Sequence, residues 1–171
     1  MAQVVVEHRL IAEPLADNQF EEFGVVLRAQ EDGTPCTDEE RALDLDEGVP
    51  RLYIMRLHDK PAVFTRITRH LHTTQSLMSV GGVNALWYLA VAPPGDTDPA
   101  SVPRVEEIRV FAIPGDVMVT LKKGTWHSGP YFGTSTMEFV NLELTDTNIS
   151  DHHTYHLDEA LGLRVIIEDP S

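Results

Sequence analysis

The sequence is poor in cysteine and contains no long apolar run. Its one cysteine, Cys36, excludes a disulfide framework within the chain and is typical of a reducing compartment. Acidic neighbours disfavour a thiolate, so we interpret Cys36 as a loop residue and not as a nucleophile. No stretch approaches the ~20 apolar residues of a membrane-spanning helix, and the first residues lack the features of a signal peptide. We therefore expect a soluble, cytoplasmic protein.

Basic residues are also scarce. The chain has 13 Lys and Arg against 27 Asp and Glu, a formal net charge of −14. Such a charge repels nucleic acid phosphates and anionic membrane surfaces, so we expect neither as a partner. The length of 171 residues suits a single domain, 1–171, that can bury a hydrophobic core without disulfides or structural metals.

The N-terminal part of the chain indicates strands separated by one short helix. Val4 to Ile11 has the composition of a strand, and Asp17 can cap a helix that ends at Gly24. Residues 28–50 are acidic and show neither period, which predicts a surface loop. The segment from Arg51 to Leu57 has the character of an edge strand.

From residue 62 onward the period is close to two. Arg66, Thr68 and His70 share one parity and should face the same way. Residues 85–91 form an apolar run typical of a strand buried on both faces. Further strands are predicted at 105–113, 117–121 and 137–144, with a helical turn at 158–163. Short strands with Gly/Pro turns predict an all-β sandwich or barrel with minor helical segments.

Two distant segments reproduce the spacing of the motifs that form the pocket of cupin barrels. The first motif, His-x-His, four residues, Glu, six residues, Gly, is matched in spacing by Thr68, His70, Gln75 and Gly82. The second, Pro-x-Gly-x-x-His, is matched by Lys122, Gly124 and His127. The spacing is kept while Thr, Gln and Lys replace His, Glu and Pro. This resemblance implies a cupin double-stranded β-helix, a jelly-roll-like barrel.

A narrower resemblance rests on an ordered set of segments between Pro14 and Leu144. These are Pro14-Leu15, Phe20 to Val26, Arg69-His70 with Thr74-Gln75, Ile108 to Phe111, and Thr125 to His127 with Pro130 to Phe132. In order and spacing the set resembles the ureidoglycolate lyase family, formerly called ureidoglycolate hydrolase. Thr68 and Lys122 depart from residues that this family tends to carry.

The resemblance implies an activity and an assembly. It implies a homodimer that acts on a small anionic substrate, cleaving ureidoglycolate into glyoxylate and urea during recovery of purine nitrogen. Because motif ligands are replaced, two alternatives stay open. One is a metal-poor cupin that binds a small carboxylate without catalysis, and the other is a metal-dependent cupin enzyme of another reaction type, such as a dioxygenase.

The candidate site residues follow from the matched spacing. His70 and His127 occupy positions from which cupins project imidazoles, which serve as acid, base or metal ligand near neutral pH. With Gln75 they form an incomplete ligand set, so we expect at most one weakly bound divalent ion, nickel, manganese or zinc. Either histidine could be the base and the other the acid.

Three cations could receive a substrate carboxylate. Arg66 shares the parity of His70, Lys122 occupies a motif position, and Arg109 lies in a segment that matches the family. Tyr88 and Glu143 are lesser candidates for substrate contacts.

Two further histidine groupings are alternatives to these motifs. In an alternative register His70 and His72 would be the His-x-His pair of the first motif. His152, His153 and His156 could form a metal cluster, but a solvated loop is the favoured interpretation.

Overall fold

The structure is a computed structural model, and it describes residues 5–170. Over this range the chain forms fourteen strands and three short helices. The strands are β1 Val6–Ile11, β2 Glu13–Pro14, β3 Gly24–Leu27, β4 Pro50–His58, β5 Val63–Phe64, β6 Arg66–Arg69, β7 Gln75–Ser79, β8 Gly82–Ala92, β9 Arg109–Gly115, β10 Met118–Leu121, β11 Trp126–Tyr131, β12 Thr136–Leu144, β13 His153–His156 and β14 Leu163–Glu168. The helices are α1 Asp17–Phe20, α2 Thr147–Ser150 and α3 Leu157–Leu161, and 3-10 turns lie at Glu39–Arg41 and Val105–Glu107.

The strands form three sheets. One has the order β3-β10-β7-β12-β4, the second the order β13-β6-β11-β8-β9-β2, and the third the order β1-β14-β5. The first two face each other as an open sandwich around a shared apolar core. The predicted all-β fold with minor helical segments is therefore confirmed, with sheets that do not close into a full barrel.

The six-stranded sheet is the middle layer, because apolar residues cover both of its faces. In β8 the alternation of the strand sends Trp87 and Leu89 into one core and Tyr88 and Ala90 into another. The first core fills the space toward the five-stranded sheet, and the second lies under β1, β14 and α3. The predicted burial of residues 85–91 on both faces is confirmed for Trp87–Val91.

Strand β12 shows how the interior changes from apolar to polar. Met137 and Phe139 point into the first core. Asn141 and Glu143 continue on the same face and are equally buried, at 2% and 1% exposed. The interior between the two large sheets therefore ends in a polar region.

Several predicted elements need correction. The first strand begins within the described residues at Val6, and Val4 lies outside them. Asp17 is the first residue of α1 and makes no side-chain cap. Gly24 opens β3, and a Cβ there would lie 2.0 Å from the Thr120 carbonyl oxygen, so only glycine fits. The predicted strand at 105–113 begins instead at Arg109, after a 3-10 turn.

Candidate active site

A cavity of about 450 Å³ opens between the two large sheets, next to the first core. Leu77 and Met55 line it and also pack in that core. Its polar lining consists of Tyr53, Lys60, Thr65, Arg66, Thr68, His70, Gln75, His127, Ser128, Tyr131, Asn141, Asn148 and His152. Arg66, Thr68 and His70, which we predict to face the same way, all border this cavity, and so does Thr65 of the other parity.

Two buried histidines lie side by side in the cavity wall. His70 directly follows β6, and His127 lies in β11 opposite Thr68 of β6. Their ring centroids are 5.0 Å apart. The pairing of β6 with β11 therefore brings together two residues that are far apart in sequence.

A backbone carbonyl fixes the tautomer of each imidazole. The Nδ1 atom of His70 lies 2.6 Å from the Asp151 carbonyl oxygen, and that of His127 lies 3.1 Å from the Thr125 carbonyl oxygen. A carbonyl oxygen only accepts, so Nδ1 carries the proton in both rings. In the neutral rings Nε2 then keeps its lone pair, and each histidine presents a proton acceptor.

Burial keeps both imidazoles neutral. Desolvation lowers the pKa of His127 to about 3, and the neighbouring His70 adds to the effect. Desolvation also lowers the pKa of His70, but the Asp151 carbonyl and carboxylate act in the opposite direction. Of the two rings, His70 is the one whose protonated form has a stabilising anionic neighbour.

Asp151 connects the end of β6 to the segment between α2 and β13. Its carboxylate accepts hydrogen bonds of 2.8 Å from the backbone N–H groups of Leu71 and His72. Its carbonyl oxygen accepts the Nδ1 proton of His70. Asp151 is 4% exposed, so this single residue holds the position of His70 from within the protein.

Gln75 and Glu143 belong to one buried polar cluster. The side-chain amide of Gln75 in β7 donates to Asn141 and Glu143 in β12. Glu143 also accepts from Tyr53 of β4 and from Asn148. Glu143 therefore meets the cavity through the side chains of Gln75, Tyr53 and Asn148, which line it.

Two cations border the cavity. Arg66 is two residues before Thr68 on β6 and lines the same wall. Lys60, in the turn between β4 and β5, lies in the lining as well. No motif marks Lys60 in the sequence. Its turn is held by hydrogen bonds from the Phe132 N–H to the Lys60 carbonyl and from the Asp59 N–H to the Ser135 carbonyl.

The other predicted substrate contacts lie away from this cavity. The Lys122 ammonium donates to the Glu21 carbonyl on the outside of the sheet. Arg109 pairs with Glu13, with Nε and Oε1 2.9 Å apart. The Tyr88 hydroxyl donates to Asp169 in a separate surface groove.

The third histidine group needs a correction. The favoured solvated loop is wrong, because His153–His156 form β13 and pair with β6. His152 directly precedes that strand, and its ring centroid is 5.6 Å from that of His70. The alternative register is also wrong, because His72 points outward to Glu47 at 2.6 Å. His152 is therefore a site residue that sequence reasoning missed.

The arrangement favours proton transfer on a small polar ligand. Two neutral imidazoles supply bases, and Arg66 and Lys60 supply positive charge for an anion.

Within residues 5–170 no group of three or more His, Cys, Asp or Glu side chains could hold a metal ion. The same range has no helix long and apolar enough to cross a membrane.

The fold and the paired histidines define an all-β sandwich protein with a polar cavity between its two large sheets. The chain belongs to the ureidoglycolate lyase family, whose sequence profile matches residues 7–163. A relative named ureidoglycolate lyase, from Azotobacter vinelandii, is 28% identical over 119 residues, which cover 69% of this chain and 68% of the relative. The predicted family resemblance is therefore confirmed.

Solved structures of similar fold share little sequence with the chain. Oxalate decarboxylase from Bacillus subtilis gives a TM-score of 0.41 at 12% identity, covering 86% of this chain and 30% of that chain. A dTDP sugar isomerase from Desulfovibrio desulfuricans G20 gives a TM-score of 0.42 at 12% identity, covering 76% of this chain and 71% of that chain.

Proposed function

We propose that this protein is a lyase that cleaves ureidoglycolate into urea and glyoxylate. The observation that carries the proposal is the pair of neutral, tautomer-locked imidazoles facing a cavity that Arg66 also lines. Membership of the ureidoglycolate lyase family supports this choice of substrate.

The reaction requires one proton to leave an oxygen and one to reach a nitrogen. Ureidoglycolate carries a hydroxyl and a ureido nitrogen on the same carbon. Removing the hydroxyl proton lets the C=O bond of glyoxylate form while the C–N bond breaks, and the departing urea nitrogen takes a proton. The reaction needs no covalent intermediate with the protein and consumes no water. Acid/base catalysis is therefore sufficient.

His70 is the better candidate for the base. Asp151 stabilises its protonated form, whereas His127 is fully buried and its pKa of about 3 makes it a weak proton acceptor. The imidazolium formed on His70 can then return the proton to the departing nitrogen. His127 would accept a hydrogen bond from the substrate and hold it in place.

Arg66 is the proposed carboxylate contact, assisted by Lys60. A guanidinium binds a carboxylate through two parallel hydrogen bonds, which orients the substrate as well as attracting it. We expect Arg66→Gln to raise KM more than it lowers kcat, because this contact persists from ground state to transition state. Lys122→Gln, which removes a cation outside the cavity, serves as the matched control.

The site is also compatible with a weakly bound divalent metal. His70 Nε2, His127 Nε2 and Gln75 Oε1 would hold it, and Oε1 finds no donor among residues 5–170. Two imidazoles and one neutral oxygen suit nickel, zinc or manganese but make an incomplete ligand set. When bound, such an ion would polarise an oxygen of the substrate.

The decisive experiment is an assay of purified protein for urea and glyoxylate release, with and without added divalent metal. We expect both products, and a loss of about 10²- to 10⁴-fold in kcat for His70→Ala. His72→Ala is the control, because that neighbouring ring faces Glu47 and not the cavity. Release of neither product under either condition, or near-normal turnover by a folded His70→Ala/His127→Ala protein, would contradict the proposal.

We also propose that the protein is a cytoplasmic homodimer. The edge strand β4 exposes Leu52 and Ile54, at 69% and 58%, on the outer face of its sheet. Their partners in β12, Leu142 and Val140, continue the same apolar face. A second copy of the chain covering this face would remove it from water.

A further inference from the structure

The side-chain amide of Gln75 has a fixed orientation. Its Nε2 donates to Asn141 Oδ1 at 3.2 Å and to Glu143 Oε2 at 3.0 Å. The Glu143 carboxylate also receives the Tyr53 hydroxyl at 3.3 Å and the Asn148 amide at 3.1 Å. Asn141 Oδ1 accepts hydrogen bonds and cannot donate them, so the nitrogen of Gln75, and not its oxygen, faces the Asn141 and Glu143 side chains.

The oxygen of the same amide is left without a donor. Gln75 is 8% exposed, and its Oε1 is buried with no hydrogen-bond partner among residues 5–170. Gln75 borders the main cavity and one smaller internal space, and His70 and His127 border both. Gln75 therefore lies in the same part of the cavity wall as the two imidazoles.

Three groups at this point of the cavity are acceptors. The two Nε2 atoms and Gln75 Oε1 offer lone pairs, since the Nδ1 protons are used by backbone carbonyls. A buried acceptor without a donor is costly, and a ligand that brings an N–H or O–H group removes that cost. The site is thus complementary to a ligand rich in donors.

We propose that Gln75 Oε1 accepts a hydrogen bond from a ureido N–H of the substrate and so selects N-carbamoyl carboxylates. This inference rests on the proposed function, in which His70 takes the hydroxyl proton and leaves the ureido N–H groups as the donors for Gln75. Glu143 and Asn141 are positioning residues, because they hold the amide so that oxygen faces the ligand.

Three unreactive analogues test this selection in the unaltered protein. Hydantoate keeps the ureido group and the carboxylate but lacks the hydroxyl. N-acetylglycine replaces its terminal NH₂ by a methyl group, and succinamate replaces its internal N–H by CH₂. We expect hydantoate to bind about 10- to 100-fold more tightly than at least one of the two, the range for one buried hydrogen bond. Equal binding of all three by calorimetry would overturn the proposal without any variant being made.

The variant Gln75→Met keeps the size of the side chain and removes its acceptor. We expect the preference for hydantoate to fall to about threefold or less in this variant, with KM for ureidoglycolate raised more than kcat is lowered. Gln19→Met is the matched control, because it makes the same side-chain change at an exposed position that does not line the cavity. An unchanged preference in a folded Gln75→Met protein would overturn the inference.

Metal binding is the competing explanation for the free oxygen, and it is tested separately. Calorimetry is repeated after chelation and with nickel alone. A preference for hydantoate that persists after chelation supports the proposal, whereas a preference that requires nickel, with nickel binding lost in Gln75→Met, would assign Oε1 to the metal and overturn it. Cleavage of ureidoglycolate without a Gln75-dependent preference would refute this inference alone. A Gln75-dependent preference without cleavage would refute only the lyase proposal.

Discussion

The two imidazoles of the site differ in their surroundings, and this difference has a consequence for pH dependence. The proposed base must be neutral, and burial lowers the pKa of His70 below its ordinary value of 6.5. We therefore expect kcat/KM to stay level as pH falls through 6.5 and to decline only at lower pH. The profile is measured from about pH 5 to about pH 8 in protein freed of divalent ions. A decline centred at or above 6.5 would contradict the role given to His70.

His127 should make stability depend on pH in a distinct window. Its pKa falls from 6.5 in the unfolded chain to about 3 in the fold, so the unfolded chain binds more protons between these values. The contribution of the neutral His127 ring to the free energy of unfolding is fully present above pH 6.5 and is lost as pH falls toward 3. Urea denaturation at several pH values should show a shallower loss for His127→Gln than for the unaltered protein. Parallel curves for the two would contradict the assignment.

At the scale of residues, motif spacing predicted His70, His127 and Gln75, which line the cavity, and also Lys122, which does not, while strand parity predicted Arg66. Spacing works for the first three because strand pairing converts it into position along a wall. Lys122 directly follows β10 and is exposed, and its ammonium donates to the Glu21 carbonyl, a contact that the motif position does not predict. Lys60 and His152 reach the cavity only through tertiary packing, which no local pattern specifies.

At the scale of elements, the hydrogen bonds of Asp151 to His70, Leu71 and His72 form a clamp. This clamp links the end of β6 to the segment between α2 and β13. In Asp151→Ala the N–H groups of Leu71 and His72 lose a charged acceptor inside the protein. We expect a loss of about 2–4 kcal/mol in the free energy of unfolding, together with a lower kcat because His70 is no longer held.

The comparison variants separate these two effects of the clamp. Asp151→Asn keeps one acceptor oxygen and should recover part of both losses. Ser150→Ala, at an exposed neighbouring position, should change the free energy of unfolding by no more than about 0.5 kcal/mol. It should leave kcat unchanged. Full stability of Asp151→Ala in urea would show that the clamp does not hold the strand end.

Most strands were predictable because their residues alternate between apolar and polar or are uniformly apolar. Strand β13 is an exception. Strand β13, His153–His156, is polar and carries no apolar alternation. It forms because its backbone pairs with β6, and because the Thr154 hydroxyl meets that of Thr68 at 2.8 Å. A strand specified by its partner rather than by its own pattern cannot be recognised from local sequence.

At the scale of the whole molecule, the apolar face of β4 and β12 predicts self-association. We expect light scattering to give the mass of a dimer at micromolar concentration. Leu52→Glu in the exposed centre of that face should shift the protein toward monomer without unfolding it, whereas Val83→Glu, exposed at 62% on another strand, should not. A monomeric unaltered protein would remove the support for a dimer.

The sandwich could be predicted from the sequence, but the third layer could not. Period-two strands and Gly/Pro turns specify facing sheets. The parallel pairing of β1 with β14 joins the two ends of the chain, and such a long-range contact leaves no periodic trace.

Strand β8 lies between two cores, and this position also determines where the amide hydrogens of the protein exchange most slowly with solvent. Its residues Trp87–Val91 are paired with β9 on one side, and most of them with β11 on the other, while a separate core covers each face. Local opening of this stretch would expose both cores together, so its amides can exchange only when the whole fold opens. Deuterium uptake at Trp87–Val91 should therefore report the global free energy of unfolding, while β13, at the sheet edge, exchanges earlier.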